Sequence, residues 1–155
     1  MITCTHTATF GEIGSLQEVF AEAKIRRRGR CPAYVLVVED DTLTRRVVVG
    51  VLGENYAIIT EENARGAIAS YLLYAPDVVF LDIGLPDIDG FTALDQIMTV
   101  DPDAFVVMFS SHNDTQNINK ALTAGAKGFV SKPFKKETLN SYIQDSGVHH
   151  HKSCA

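Results

Sequence analysis

Three apolar runs end in side-chain oxygens and a fourth ends in an ammonium. VVEDD (37–41) closes on Glu39, Asp40 and Asp41, DVVFLD (77–82) on Asp82, AFVVMFS (104–110) on Ser110, and GFVSKP (128–133) on Lys132. Carboxylates brought close together repel and raise one another's pKa unless a cation offsets them. Hard oxygen ligands with open positions suit Mg²⁺, with Mn²⁺ an acceptable substitute, and Mg²⁺ is commonly shared with a phosphoryl group. An aspartate beside such an ion has a recognised use as a carboxylate nucleophile on phosphorus. Asp82 is therefore the candidate nucleophile and Glu39, Asp40 and Asp82 are candidate metal ligands. The Lys132 ammonium and the Ser110 hydroxyl would each take a phosphoryl oxygen as charge develops.

That chemistry requires four distant run ends to meet. From Tyr34 onward short apolar runs alternate with segments of helical period. Strands are predicted at 34–38, 56–60, 77–82, 104–110 and 128–133. Between them, Leu43, Val47 and Val51 share one helical face, as do Ala64, Ala67, Ile68, Tyr71 and Leu72 in the next segment. A third helix carries Phe91, Leu94, Ile97 and Met98. A fourth, capped by Asp114 or Thr115, carries Ile118, Ala121 and Leu122 and stops at Gly125; a fifth spans 135–145. Strand–helix alternation of this regularity predicts an α/β fold, a flavodoxin-like, doubly wound, five-stranded parallel sheet of order 2-1-3-4-5 with helices on both faces. Ligands of such sheets bind outside the strand C-termini, where strand order reverses. Strands one and three are then neighbours, so Glu39, Asp40 and Asp82 converge.

Composition narrows the remaining classes. The chain has 155 residues, 46% apolar and 21% charged, enough for one domain with a short appendage. No apolar run approaches the ~18 residues of a membrane-spanning helix. The N-terminal stretch carries Glu12 and Glu18 where a signal peptide needs an apolar core, so a cytoplasmic location is expected. Cys4, Cys31 and Cys154 are odd in number and far apart, which suggests neither a disulfide framework nor a zinc site. The net charge is −5, and residues 1–33 hold a balance of +2, which leaves −7 for the rest. An acidic domain is not expected to bind nucleic acid directly.

Four pieces in order, VVEDD, FLDIGLPDIDG (80–90), VVMFSS (106–111) and AGAKGFVSKPF (124–134), give the chain a resemblance to the response-regulator receiver domains of two-component signalling. The resemblance covers about residues 33–146. It implies that Asp82 accepts phosphate from a histidine kinase or a histidine phosphotransfer protein, and that the domain assists its own phosphorylation and dephosphorylation without being an enzyme in the ordinary sense. It further implies Mg²⁺ held by Asp40 directly, by Glu39 through water, and by Asp82 and the backbone carbonyl of Gly84. Ser110 would be the switch hydroxyl, Phe129 the aromatic that follows it, and Lys132 the phosphate contact, with a cis bond between Lys132 and Pro133. The output would be an altered surface on the fourth helix, fifth strand and fifth helix, offered to a downstream protein or to a second copy in a homodimer.

Some positions depart from the family's pattern. Gly84 stands where many members carry a polar side chain that influences dephosphorylation, and His112 lies two residues after the switch serine, so both are candidates for setting phosphoryl lifetime. The alternatives are a phosphate-independent receiver-like interaction module, which would have lost some of these acidic or lysine residues, and a phosphatase of the haloacid dehalogenase type. The latter wants a second Asp at the position of Gly84. Residues 1–32 read as an N-terminal extension holding a helix with Leu16, Val19, Phe20 and Ala23 on one face and then a basic linker. Residues 33–146 read as a stand-alone receiver. Residues 147–155, with His149, His150 and His151, read as a tail.

Overall fold

The computed structural model describes residues 16–112 and 114–148; Cys4, Cys154 and the three tail histidines lie outside them. In chain order the elements are α1 (Leu16–Arg27), β1 (Tyr34–Val38), α2 (Thr42–Leu52), β2 (Ala57–Glu61), α3 (Ala64–Tyr74), β3 (Val78–Asp82), α4 (Gly90–Val100), β4 (Val106–Ser110), α5 (Thr115–Thr123), β5 (Gly128–Ser131) and α6 (Lys136–Asp145). The five strands are parallel in the order β2-β1-β3-β4-β5, as the alternating pattern predicts. Val38 pairs with Leu81, Asp82 with Phe109 and Ser110 with Ser131, so the polar strand ends line up along one edge of the sheet.

The period of two sorts the strand residues between two apolar layers. Leu36, Val38, Val79, Leu81, Val106 and Met108 face α3, α4 and α5, while Val35, Val37, Phe80, Val107, Phe109 and Val130 face α2 and α6. In the second layer Phe80, Phe109 and Phe134 form a stacked column with centroid spacings of 5.1 Å. The column anchors the turn after Lys132, whose bond to Pro133 is cis as expected.

The chosen face of α2 is corrected by the structure. Leu43 and Val47 are 72% and 50% exposed, and the buried side chains are Val48 and Leu52. The run VVVGVL is apolar on several faces at once, so periodicity alone does not pick the inner one. Leu122 of α5, expected inside, is also exposed. Cys31 is disulfide-bonded, which the number and spacing of the cysteines did not suggest. Separation along a chain does not bound separation after folding.

The N-terminal segment forms α1 and docks on α3. Phe20 is buried and stacks on Tyr71 at 5.8 Å, with Ala23 buried beside it. Beneath them Asp101, the fully buried C-cap of α4, accepts from Lys24 Nζ at 3.0 Å, Arg27 Nη2 at 3.0 Å, Tyr71 Oη at 2.8 Å and the Asp103 amide at 3.2 Å. These donors nearly fill the carboxylate's acceptor sites. Burial pushes the Asp101 carboxyl up, but Tyr71, Arg27 and Lys24 outweigh it and hold the group below its usual range. A carboxyl depressed in this way stabilises the fold above its unfolded pKa and loses that contribution as pH falls through the folded value. Asp101→Ala is therefore expected to cost about 2–3 kcal/mol near neutral pH, because it strands buried donors. The penalty should shrink as pH falls below about 4, where the unfolded chain's carboxyl takes up its proton, and vanish below the depressed folded value. Urea unfolding at the two pH values checks this, and Lys24→Ala, which removes a side chain that is itself 40% exposed, should cost under about 1 kcal/mol.

Candidate functional site

The strand ends open into a cleft of about 460 Å³ lined by Glu39, Asp40, Asp82, Gly84, Ser110, His112 and Lys132, among others. Every sequence-predicted site residue except Phe129 is therefore brought to one place. Carboxylate oxygens of Glu39, Asp40 and Asp82 lie within 4.8 Å of one another, the first and last buried and Asp40 exposed. Glu39 and Asp40 reach this position because β1 ends at Val38 and α2 begins at Thr42, its first turn capped by Asp41, which accepts from the Thr44 amide at 2.7 Å. Asp41 is thus spent on the helix, and Glu39 and Asp40 face the cleft.

Lys132 supplies the compensating charge. Its ammonium stands 2.5 Å from Glu39 Oε2 and 3.2 Å from Asp82 Oδ2. Burial would lower the Lys132 pKa, but Glu39 and Asp82 together raise it above its ordinary value. Glu39 is shifted up, first by burial and further by the charge of Asp82, against the pull of Lys132 and the Asp41 amide. One cation for three carboxylates leaves an excess of negative charge. Glu39 Oε2, buried and without an aligned hydrogen bond, is met by the Lys132 ammonium. The donor set is all oxygen, which fits a hard divalent cation such as Mg²⁺ or Mn²⁺.

The remaining residues are arranged around this centre. The Gly84 amide donates to Asp82 Oδ1 at 3.4 Å. Gly90 closes the loop after Asp82, where a Cβ would collide with the Asp82 carbonyl and Ile83 Cα, so a side chain there displaces the Asp82 backbone. The Ser110 hydroxyl donates to the His112 carbonyl and accepts from the His112 amide, both at 2.9 Å, so it is turned onto its own loop. His112 contributes these backbone groups at the rim. Phe129 lies outside the cleft, half-buried against the α3–α4–α5 layer and in register with Met108.

Two residues whose partners the sequence did not reveal also bear on the loops of the site. Arg45 Nη1 donates to the Glu39 carbonyl at 2.7 Å and the Asp40 carbonyl at 3.3 Å, while Nη2 pairs with Glu62 at 2.6 Å. Asp87 accepts from the amides of Ala64 and Arg65. Neither pairing has a sequence signal, because each partner lies on another element.

A family model for the response regulator receiver domain matches residues 35–144. The chain belongs to this family. The receiver is 36% identical over 112 residues to the chemotaxis protein CheY of Halobacterium salinarum, a match spanning 72% of this chain and 93% of that protein. It is 34% identical over 107 residues to CheY of Bacillus subtilis, spanning 68% and 89%. Among solved structures, a chain of the CheX–CheY–BeF3–Mg²⁺ complex from Borrelia burgdorferi is similar with a TM-score of 0.71 and 31% identity, covering 76% of this chain and 90% of that one. The BeF3-activated DrrB receiver domain is similar with a TM-score of 0.68 and 26% identity, covering 74% and 96%. This is a signalling domain of CheY-like response regulators in two-component systems, built on the fold that the strand pattern predicts. None of the receiver's helices, among the described residues, is long and apolar enough to cross a membrane.

Proposed function

We propose that this receiver is a phosphoacceptor in which Asp82 takes a phosphoryl group from a histidine kinase or histidine phosphotransfer protein and thereby changes what the domain binds. The observation that carries the reading is the excess negative charge at the strand ends: three carboxylates within 4.8 Å against one ammonium. A structural cluster gains nothing from such an excess, whereas a site that recruits a divalent cation and a phosphoryl group needs it.

Asp40, Glu39, Asp82 and the Gly84 carbonyl would hold Mg²⁺, with exposed Asp40 as the direct ligand and buried Glu39 acting through water. Bound there, Mg²⁺ supplies positive charge to the phosphoryl oxygens. The chain's own residues do the rest. An Asp82 carboxylate oxygen attacks phosphorus, forming an acyl phosphate, and the bond from phosphorus to the donor histidine nitrogen breaks with its electron pair leaving on the nitrogen. Lys132, already at Asp82 Oδ2, moves its charge onto the transferred group. For Ser110 to donate to a phosphoryl oxygen it must give up its bond to the His112 carbonyl, so phosphorylation competes with the loop geometry seen here. Inward movement of Ser110 frees space that half-buried Phe129 follows, shifting a two-state equilibrium on the α5–β5–α6 face. That face is the proposed output surface, for a downstream protein or a second copy. With Gly84 lacking a side chain and His112 held at the rim, these two positions set water's access to the acyl phosphate and hence its lifetime.

A Mn²⁺ titration followed by electron paramagnetic resonance tests the ligand set. Binding at one site is expected, weakened at least about 10-fold in Asp40→Ala, and beryllofluoride should bind only when metal and Asp82 are both present. Metal binding unaffected by Asp40→Ala would contradict the assignment.

A further inference from the structure

Asp87 is exposed and sits in the middle of the loop joining Asp82 to α4, where a carboxylate left in water would cost nothing. Instead both of its oxygens are committed. Oδ1 accepts from the Ala64 amide at 2.9 Å and Oδ2 from the Arg65 amide at 3.0 Å, across a gap of more than twenty residues. These are amides of the first turn of α3, which lack intrahelical partners. The helix's own N-cap, Asn63, covers the Gly66 amide at 2.8 Å and receives the Ala67 amide on its backbone carbonyl at 3.1 Å. The cap of α3 is therefore completed by a residue of the loop that leaves Asp82. Although partial desolvation pulls the other way, the amides of Ala64 and Arg65 hold the Asp87 carboxyl at about 2, so the charge is present throughout the working pH range.

The rest of the loop shows what the bond contributes. Its ends are fixed: the Gly90 amide donates to the Ile83 carbonyl at 2.8 Å, and Asp89 caps α4 through the Thr92 amide at 3.0 Å. Ile83, Leu85 and Ile88 pack half-buried on the core side. The outer edge, with exposed Gly84, has no such packing, since a Cβ at Gly84 would meet nothing within 4 Å. The same β2–α3 corner also holds the other acidic loop, where the Glu39 amide donates to the Glu61 carbonyl at 3.0 Å and Arg45 bridges the Glu39 carbonyl to Glu62.

We infer that Asp87 is a positioning residue: it straps the loop carrying Asp82 and Gly84 to the first turn of α3, so that one corner of the fold sets the spacing of both loops that hold the acidic site. The inference rests on the phosphoacceptor reading above. A loop held before the cation arrives binds it with less ordering, so the strap acts on metal affinity and leaves the phosphoryl-transfer step unchanged once metal is saturating.

The test compares wild type, Asp87→Ala, Asp87→Asn and Asn63→Ala. For each, the Mg²⁺ concentration giving half-maximal adduct formation from acetyl phosphate is measured by intact-mass analysis, alongside a metal-free thermal melt. Asp87→Ala should raise the half-saturating Mg²⁺ about 10-fold and leave the rate at saturating Mg²⁺ unchanged. Asp87→Asn, which keeps one acceptor oxygen, should shift it in the same direction by less, and it carries the comparison if the alanine variant fails to fold. Asn63→Ala removes the companion cap and should lower the melting temperature without moving the half-saturation point. Unchanged half-saturation in both Asp87 variants, or an equal shift in Asn63→Ala, overturns the strap while the wild-type response stands. A wild type with no Mg²⁺-dependent adduct overturns the phosphoacceptor reading and the strap with it.

Discussion

Asp82→Asn is expected to abolish the phosphoryl adduct while making the metal-free protein more stable. The amide has no nucleophilic carboxylate oxygen, and losing a nucleophile from an active site has cost on the order of 10⁶-fold in rate, so no adduct should be detected at any Mg²⁺ concentration. The gain in stability follows from the same geometry. Asp82 is 6% exposed and shares its space with the carboxylates of Glu39 and Asp40. Replacing it with a neutral isostere removes a like-charge repulsion, and Lys132 keeps its closer partner, Glu39, at 2.5 Å. A gain of about 1 kcal/mol is expected, small because Lys132 already offsets much of the repulsion. Phosphotransfer assays and urea unfolding in a chelator measure the two effects. A variant that loses both adduct and stability would mean that Asp82 is a structural carboxylate.

Removing the cation produces the second large effect, in the opposite direction on stability. Lys132→Met should slow adduct formation by about 10²–10³-fold, the loss seen when a charge-stabilising donor is taken from a transition state. In metal-free solution it should also destabilise the fold in a pH-dependent way. The Glu39 carboxyl is raised by burial and by Asp82, and without Lys132 it rises further. A carboxyl with a raised folded pKa contributes stability that is fully present at low pH and is lost as pH rises through the folded value. Lys132→Met should therefore fall further below wild type as pH rises above the ordinary glutamate range of about 4, and Mg²⁺ should restore part of the difference. Thermal melts over that rise in pH, with and without metal, give the comparison; a difference independent of pH would place the lost interaction elsewhere.

How much of this was legible in the sequence depends on the range of the physics involved. Strand order and the convergence of Glu39, Asp82, Ser110 and Lys132 could be read because a buried parallel strand ending in a polar residue is a local signal, and the topology then places the ends together. The inner face of α2 could not, since the valines at 47, 48 and 49 satisfy more than one helical face and only burial in the layer that also holds Val35 and Val37 selects Val48. The apolar face of α1 was legible in Phe20 and Ala23, but its docking on α3 and its anchor Asp101 were not. Its ion-pair partners lie 77 and 74 residues away, and nothing near Asp101 marks it as buried. Arg45 escaped for the same reason, and Asp87 read as a loop or cap residue without the helix it caps. The disulfide of Cys31 escaped because cysteine spacing is silent about folded distance.

The central claim, a Mg²⁺-dependent acyl phosphate on Asp82, is tested most directly by intact-mass spectrometry of the wild-type chain after incubation with acetyl phosphate, in Mg²⁺ and in chelator, followed by reductive trapping and peptide mapping. The mass of one phosphoryl group is expected in Mg²⁺ only, mapped to the peptide holding Asp82. An adduct that forms equally in chelator, or that maps to another residue, would contradict it.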